Sequence, residues 1–205
     1  MLLNKVAPDF TLETVYCTKN DEPEIEKKRN TVIKNVGLKD FQGRWLLLLF
    51  YPLDFTFVCP TEICAFSDCK KEFDDLSCAV LAISVDSVYT HTAWINTPRE
   101  NGGVADIQIP LGADLTKNVS RDYFALLPDG HSCRATILID PNQIVRHICY
   151  NDPPVGRNVR ECLRLIKGYR FFEENGEVCP HGWEPGDKTI KPDPYEKDDY
   201  FVDID

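Results

Sequence analysis

The sequence predicts an α/β domain in which a central mixed β-sheet is flanked by helices. Short, continuous apolar segments indicate buried strands, an apolar repeat of helical period lies between two of them, and a turn signal introduces a strand that reverses direction. With 205 residues, of which 43% are hydrophobic, the chain is long enough for one substantial core and too short for two full-sized domains.

The central strands are predicted from three apolar segments. Trp45–Phe50 is continuously apolar and is soon followed by Pro52, so it is too short for a helix and fits a strand that is buried on both faces. Residues 78–85 and Arg134–Ile139 have the same character. We therefore expect these three strands at the centre of the sheet.

A helix is predicted between the first two of these strands, over residues 60–76. Pro60 occupies a favoured first-turn position, and the apolar residues recur at roughly helical spacing. They are Ile63, Phe66, Cys69, Phe73 and Leu76. A strand, a helix and a strand in this order predict a right-handed parallel crossover. Residues 144–150 follow the turn signal Asp140-Pro141-Asn142 and should pair antiparallel with the preceding strand.

A second helix is predicted to begin near Arg157 and to end at Asn175-Gly176, which is a natural C-terminal cap. One face of this helix is apolar and consists of Val159, Cys162, Leu163, Ile166 and Tyr169. Residues 20–30 are charged and nearly free of apolar side chains, so we expect an exposed loop there.

Charge and hydropathy exclude two classes of protein. The formal net charge of −10 argues against a nucleic-acid partner, because phosphate binding needs concentrated Lys and Arg. Residues 184–205 carry eight acidic side chains and three Lys, which makes the tail strongly acidic. The longest apolar segment has seven residues, far short of the roughly 20 that a membrane span requires, so no membrane partner is expected.

The nine cysteines are an odd number, which fits a reducing compartment better than a framework of disulfides, and the amino-terminal segment lacks a secretory signal. We therefore expect a cytoplasmic protein.

Cys59, Cys64 and Cys69 are five residues apart, so each is rotated by about 140° from the last on a helix and the three cannot converge on one metal. Packing is the expected role of Cys17, Cys69, Cys78, Cys133, Cys149, Cys162, Trp94 and Trp183, and an exposed or locally bonded state is expected for His91 and His181.

The segment that carries chemistry runs from Tyr51 to Ile63. Cys59 ends a loop that leaves a buried strand, and Pro60 then opens a helix, whose backbone N–H groups and dipole favour an anion and therefore a thiolate. Such a thiolate is a nucleophile. Thr56 can offer a hydroxyl to the sulfur or to a bound oxygen, and Pro52 can wall the site without competing donors.

A thiolate that cleaves an O–O bond also needs a cation, because the departing oxygen develops negative charge. Arg134, at the start of a predicted central strand, is the candidate for this role.

The order Pro52-x-x-x-Thr56-x-x-Cys59 is much more specific than a cysteine before a helix. The run from Phe50 to Asp68 resembles the active-site signature of typical two-cysteine peroxiredoxins. The likeness continues through segments 84–87, 91–99, 115–123, 151–157 and 176–183 and so covers nearly the whole chain.

The resemblance implies a thioredoxin-like fold over about residues 1–167 and an extended C-terminal arm over residues 168–205. It implies that Cys59 is the peroxidatic nucleophile, completed by Pro52, Thr56 and Arg134, while Glu62 and Arg157 hold the arginine and the active-site loop in place. It also implies that Cys179, in Glu177-Val-Cys-Pro-His-Gly-Trp183, is the resolving cysteine and acts on the partner subunit.

The activity implied is reduction of hydrogen peroxide and organic hydroperoxides without metal, haem or flavin. The Cys59 sulfenic acid would be captured by Cys179 as an intersubunit disulfide, which prevents further oxidation and is recycled by thioredoxin or a related dithiol protein. The resemblance further implies a homodimer that assembles into a ring of five dimers.

Two alternatives come from other classes. The same scaffold could serve as a holdase chaperone or as a redox-signalling relay. A thiol–disulfide oxidoreductase of the thioredoxin kind would need Cys-x-x-Cys at the strand-to-helix junction, and Cys59-Pro-Thr-Glu62 lacks the second cysteine.

Three departures from the family pattern stand out. Gly102-Gly-Val-Ala105 replaces the common Gly-Gly-Leu-Gly, although the Tyr200-Phe201 pair that accompanies sensitivity to over-oxidation is present, so this sensitivity is left open. The stretch of residues 20–35 is longer than expected, and residues 128–133 are atypical just before Arg134.

Overall fold

The computed structural model describes residues 1–18 and 31–202. The chain divides into two compact units, Met1–Arg157 and Asn158–Asp205. The boundary expected between residues 167 and 168 falls within the long helix of the second unit.

In the described part of the first unit, a mixed sheet has seven strands in the order β2-β1-β5-β4-β3-β6-β7. The strands are β1 (Thr11–Cys17), β2 (Thr31–Gly37), β3 (Trp45–Phe50), β4 (Cys78–Ser84), β5 (Leu111–Ala113), β6 (Arg134–Ile139) and β7 (Val145–Asn151). β3 is parallel to β4 and antiparallel to β6, and β7 returns antiparallel to β6. The predicted parallel pairing of β3 with β4 and the predicted reversal after β6 are both confirmed.

The central strands owe their position to continuous apolar sequence. Every residue of β3 and of β6 is buried, because both faces of these strands are covered. The carboxyl end of β3 leads directly into the loop 51–58, so this buried strand fixes the starting point of the segment that carries Cys59.

Within residues 1–18 and 31–202, four helices belong to the first unit and two to the second. They are α1 (Cys59–Asp68), α2 (Lys70–Asp75), α3 (Val88–Ile95), α4 (Asn118–Asp122), α5 (Val159–Asn175) and α6 (Asp198–Phe201), with 3-10 turns at Leu38–Phe41 and Arg99–Asn101. The single helix predicted over residues 60–76 is therefore two helices. The break lies at Cys69, whose φ of −89° and ψ of 7° depart from helical values.

The hairpin of β1 and β2 was not predicted. It pairs Cys17 with Thr31 at the end where the two strands are connected, so residues 31–35, which the sequence placed in an unusual insertion, form part of a strand. The exposed loop expected at residues 20–30 lies outside the described residues.

Backbone conformation or packing explains three positions of the Gly102-Gly-Val-Ala105 segment. Gly102 has a φ of +77°, which favours glycine. A Cβ on Gly103 would lie 2.0 Å from the carbonyl oxygen of Thr97, so a larger residue cannot be accommodated there without moving the backbone. Val104 is fully buried and its amide donates to the carbonyl of Trp94. The departure at position 104 thus fills the core.

In the second unit, α5 ends where predicted, with Gly176 as a left-handed cap. Beyond the cap, Val178 and Ile190 exchange two backbone hydrogen bonds and close a loop over the intervening residues. Trp183 in this loop is buried and packs against Phe171 of α5, with ring centroids 5.0 Å apart and ring planes tilted by 50°. Among the residues described, no helix combines the length and the apolar character needed to cross a membrane.

Candidate active site

Cys59 occupies the first position of α1 and is fully buried. Pro60 follows it in the first turn, where a missing N–H costs nothing, so the loop from β3 turns sharply into the helix at the sulfur. This is the strand-to-helix junction that the sequence predicted.

Arg134, the first residue of β6, brings a guanidinium to this sulfur. Its Nη1 donates to Cys59 Sγ over 3.4 Å and to Glu62 Oε2 over 2.7 Å, and its Nε donates to the carbonyl of Pro153 over 2.6 Å. The side chain is 4% exposed, so its charge acts through a medium of low dielectric constant. A buried cation at this distance can stabilise negative charge that develops at the sulfur or on an oxygen bound beside it.

Glu62 joins two arginines. Arg157 donates to Glu62 through its backbone N–H (2.6 Å), its Nε (2.8 Å) and its Nη2 (3.1 Å), and a further Nη1 bond reaches the carbonyl of Ala135. Burial would raise the pKa of Glu62, but the hydrogen bonds and the charge of Arg157, together with the charge of Arg134, hold that pKa below its ordinary value. The carboxylate therefore stays ionised and anchors both guanidinium groups.

The loop between β3 and α1 is anchored by Asp54, which was not singled out from the sequence. Its carboxylate accepts from the Tyr51 hydroxyl and pairs with His91 Nδ1, both at 2.7 Å, while its backbone N–H donates to Asp86. His91 also lies 3.3 Å from the carbonyl of Gly112. His91 is fully buried and bonded to a residue 37 positions away, so the expectation of an exposed or locally bonded histidine is wrong. The sequence signal that could have identified Asp54 is the presence of one acidic residue between Pro52 and Thr56 in an otherwise apolar run.

Thr56 and Pro52 lie on the same loop. The Thr56 hydroxyl donates its hydrogen to the carbonyl of Leu53 over 2.9 Å, which leaves the oxygen lone pairs as acceptors. Pro52 is buried. The structure thus brings Cys59, Arg134, Glu62 and Arg157 into one bonded group, with Pro52 and Thr56 on the loop that leads into it.

Cys179 belongs to the second unit. Its thiol is half-buried and donates weakly to the carbonyl of Gly168 on α5, with the sulfur 3.6 Å from the oxygen. Burial raises the pKa of the Cys179 thiol, and the nearby charge of Arg164 opposes that shift. The sulfur lines a cavity of about 380 Å³, together with Arg164, Tyr169, Phe172 and His181.

Comparison with known proteins decides the family. Residues 3–148 match the AhpC/TSA family, and residues 168–202 match the C-terminal domain of 1-Cys peroxiredoxin. The chain belongs to the AhpC/TSA family of peroxiredoxins. The human mitochondrial thioredoxin-dependent peroxide reductase is 53% identical to this peroxiredoxin over 85% of the chain and 69% of its own length.

Two further relatives cover almost the whole chain. A thioredoxin peroxidase from Trypanosoma brucei rhodesiense is 51% identical over 97% of this peroxiredoxin and 94% of its own length. The reduced 2-Cys peroxiredoxin of Plasmodium vivax is 39% identical and superposes with a TM-score of 0.91, covering 98% of this chain and 99% of its own. The two-cysteine class, the thioredoxin-like fold and the peroxidase activity predicted from the sequence are thereby confirmed.

The expected cytoplasmic location is contradicted. The relatives from human, Pongo abelii and mouse are named mitochondrial enzymes. The mitochondrial 2-cys peroxiredoxin of Plasmodium falciparum is 42% identical with a TM-score of 0.76, and the match covers 87% of this peroxiredoxin and all of that chain. The expectation rested on the many cysteines, which indicate a reducing compartment but do not distinguish the cytosol from a mitochondrial matrix.

All nine cysteines of the peroxiredoxin are free thiols in the structure. Of those expected to pack, Cys78, Cys133 and Cys162 are buried, and Cys17, Cys69 and Cys149 are half-buried. Burial raises the pKa of Cys64 and Cys133 and so keeps these thiols protonated. Trp94 and Trp183 are both buried, as predicted. Within residues 1–18 and 31–202, no group of three or more His, Cys, Asp and Glu side chains is placed to hold a metal ion.

Proposed function

We propose that Cys59 is the residue of this peroxidase that attacks the peroxide. The observation that carries the proposal is the contact between Arg134 and the Cys59 sulfur at 3.4 Å, with the same guanidinium held by Glu62. A buried cation beside a thiol at a helix start both favours the thiolate and meets the negative charge that develops on the departing oxygen.

The chemical step follows from this arrangement. The Cys59 thiolate attacks the nearer peroxide oxygen, an S–O bond forms, and the O–O bond breaks with its electron pair on the departing oxygen. That oxygen takes a proton and leaves as water or alcohol, and the cysteine becomes a sulfenic acid. Because the Thr56 hydrogen is donated to Leu53, the Thr56 oxygen is free to accept the O–H of a hydroperoxide and orient it, while buried Pro52 walls the site.

The second half of the cycle assigns Cys179 as the resolving residue, carried on a C-terminal arm. Cys179 of one subunit condenses with the Cys59 sulfenic acid of its partner in a homodimer, and thioredoxin or a related dithiol protein reduces the disulfide. Support comes from the relatives, which are named thioredoxin-dependent peroxide reductase and thioredoxin peroxidase. Assembly of the dimers into a ring of five is part of the same proposal.

The cycle needs no metal, haem or flavin, because the two cysteines supply both electrons for the reduction of one peroxide. Hydrogen peroxide and small organic hydroperoxides are the proposed substrates. The alternative of a thioredoxin-like oxidoreductase is disfavoured by position 62, where a second thiol would be required. Glu62 stands there instead and binds Arg134 and Arg157.

Non-reducing electrophoresis after one equivalent of peroxide tests both cysteine roles. We expect a covalent dimer from the wild type and none from Cys59→Ser or Cys179→Ser. Cys64→Ser changes a half-buried thiol on the same helix as Cys59 and should behave like the wild type. An internal bridge within a monomeric chain would instead indicate a single-subunit mechanism, and dimer formation by Cys59→Ser would refute the assignment of the nucleophile.

A further inference from the structure

The loop that carries Cys179 is attached to α5 through Arg164. Arg164 Nη1 donates to the carbonyl of Trp183 over 3.3 Å, and Arg164 and Cys179 line the same cavity of about 380 Å³. The Cys179 thiol itself contacts the carbonyl of Gly168, one turn beyond Arg164 on the same helix. A guanidinium and a thiol are thus presented together on one face of α5.

Glu161 competes for this guanidinium. Arg164 Nε and Nη2 donate to the two oxygens of Glu161 over 2.6 and 2.7 Å, and the side chains of Arg164 and Glu161 are 23% and 51% exposed. Arg164 lines the cavity and Glu161 is bonded to it, so the positive charge that reaches the thiol is partly cancelled by the carboxylate. Glu161 therefore weakens the electrostatic effect of Arg164 on the Cys179 thiol.

We propose that Arg164 is a positioning residue for the resolving step, which keeps a cation beside the Cys179 sulfur and so favours its thiolate until the loop opens. The proposal rests on the assignment of Cys179 as the resolving cysteine. In that step the Cys179 thiol first loses its proton to solvent. The electron pair of the thiolate then forms the S–S bond with Cys59, and the S–O bond of the sulfenic acid breaks to release hydroxide, which takes up a proton as water. The cation acts on the ionised sulfur before this bond forms.

Other titratable groups of this unit surround the thiol. Tyr169 of α5 and His181 of the loop line the same cavity, and the charges of Glu161 and Glu184 act on Arg164. Burial of the Cys179 thiol favours its neutral form, and the Arg164 charge opposes this effect. The rate of resolution should therefore depend on pH through Cys179 and should respond to the charge at position 164.

The test removes the charge of each member of the Arg164–Glu161 ion pair in turn. Rapid quenching after a pulse of hydrogen peroxide, followed by mass spectrometry, separates the oxidation of Cys59 from the disulfide that follows it. Arg164→Gln should slow disulfide formation by about three- to tenfold at neutral pH, move its pH profile to higher pH and leave the oxidation of Cys59 unchanged. Arg164→Lys keeps the charge and should stay within about twofold of the wild-type rate.

Glu161→Gln releases the guanidinium and should accelerate disulfide formation by about two- to threefold. If the ion pair were purely structural, loss of either partner would change the rate of disulfide formation in the same direction. The proposal is overturned if Arg164→Gln and Glu161→Gln change the rate in the same direction, or if Arg164→Lys is as slow as Arg164→Gln. If Arg164→Gln does not fold, Glu161→Gln and Arg164→Lys still decide the question.

Cys179→Ser separates this proposal from the function on which it rests. If that variant still forms the disulfide, the assignment of the resolving cysteine fails. If it forms none while the charge variants resolve at the wild-type rate, the role of Arg164 alone is refuted.

Discussion

Glu62 places one buried carboxylate, 2% exposed at its side chain, between the guanidinium groups of Arg134 and Arg157. The carboxylate fixes the positions of both cations through charge-assisted hydrogen bonds, which are the stronger kind. The geometry around Cys59 depends on this one side chain because Arg134 reaches the sulfur and Glu62 with the same nitrogen.

Glu62→Gln is expected to lower the free energy of unfolding by about 3 kcal/mol at neutral pH, because it leaves two buried cations without their counterion. The pKa of Glu62 is below its ordinary value of 4.5 in the folded state, so its contribution is fully present above that pH and is lost as the pH falls through the lower, folded-state pKa. Urea unfolding between pH 7 and pH 3 should therefore show the difference from wild type shrinking in acid.

Asp74→Asn is the matched control, since it removes an exposed carboxylate from an ion pair with Lys70 and should change stability little at either pH. A difference between wild type and Glu62→Gln that stays constant across this pH range would contradict the charge-based account of Glu62.

At the scale of elements, the loop between β3 and α1 is the segment that delivers Cys59. Asp54 ties this loop to α3 through His91 and to the segment just after β4 through Asp86, and it also accepts from the hydroxyl of Tyr51 at the start of the loop itself. The loop is thereby bonded to two other parts of the first unit, and its course is set before any substrate binds.

Asp54→Ala should destabilise the first unit by about 3 kcal/mol, because buried His91 and Tyr51 both lose a hydrogen-bond partner. It should also lower the second-order rate of Cys59 oxidation about tenfold or more, since the loop is no longer held at one position. Thermal unfolding and stopped-flow oxidation measure the two effects. Asp86→Asn keeps an acceptor for the Asp54 amide and should reduce both the stability and the rate of Cys59 oxidation less than Asp54→Ala does. Normal oxidation by a destabilised Asp54→Ala would contradict a positioning role.

The elements also show how far sequence reasoning reaches. β3, β4 and β6 were predictable because a short segment of continuous apolar residues fits few structures other than a buried strand. β1 and β2 were missed because polar and charged side chains alternate irregularly along an edge hairpin, where one face is open to solvent. The break at Cys69 was missed because the apolar period continues from α1 into α2, although the backbone does not.

The site residues that belong to a local motif could be predicted from the sequence, but those joined only by tertiary contacts could not. Cys59 and Arg134 were named from the strand-to-helix junction and the family signature, and the structure brings them together. The partnership of Asp54 with His91 joins residues 37 positions apart, and no local pattern specifies such a pair. Arg164 beside Cys179 is similar, since the helical pattern of α5 does not reveal what its polar face contacts.

At the scale of the whole molecule, the two units differ in how their backbone is secured. The central strands of the first unit are paired on both sides within a buried sheet, whereas the Cys179 loop is closed by the two bonds between Val178 and Ile190. Local opening is therefore expected to be far easier in the second unit than in the first.

Hydrogen exchange tests this difference. In the reduced protein, amides of residues 177–191 should exchange at least about tenfold faster than those of Trp45–Phe50. Oxidation by one equivalent of peroxide should accelerate residues 177–191 further, because Cys179 must leave the Gly168 carbonyl to form a disulfide, and Cys59→Ser should show no such acceleration. Equal acceleration in β3 would mean that oxidation loosens the whole fold and would contradict the prediction.

In the cycle proposed above, the shared carboxylate of Glu62 also makes the charge of the site differ from one step to the next. Two guanidinium cations and one carboxylate leave a surplus of one positive charge, which the proposed Cys59 thiolate would neutralise before the peroxide arrives. Once the sulfur has become an uncharged sulfenic acid, that surplus stands uncompensated in a dehydrated interior, where it is costly. Turnover thus removes the electrostatic reason for the sulfur to remain inside, at the moment when it has to move outward to be resolved.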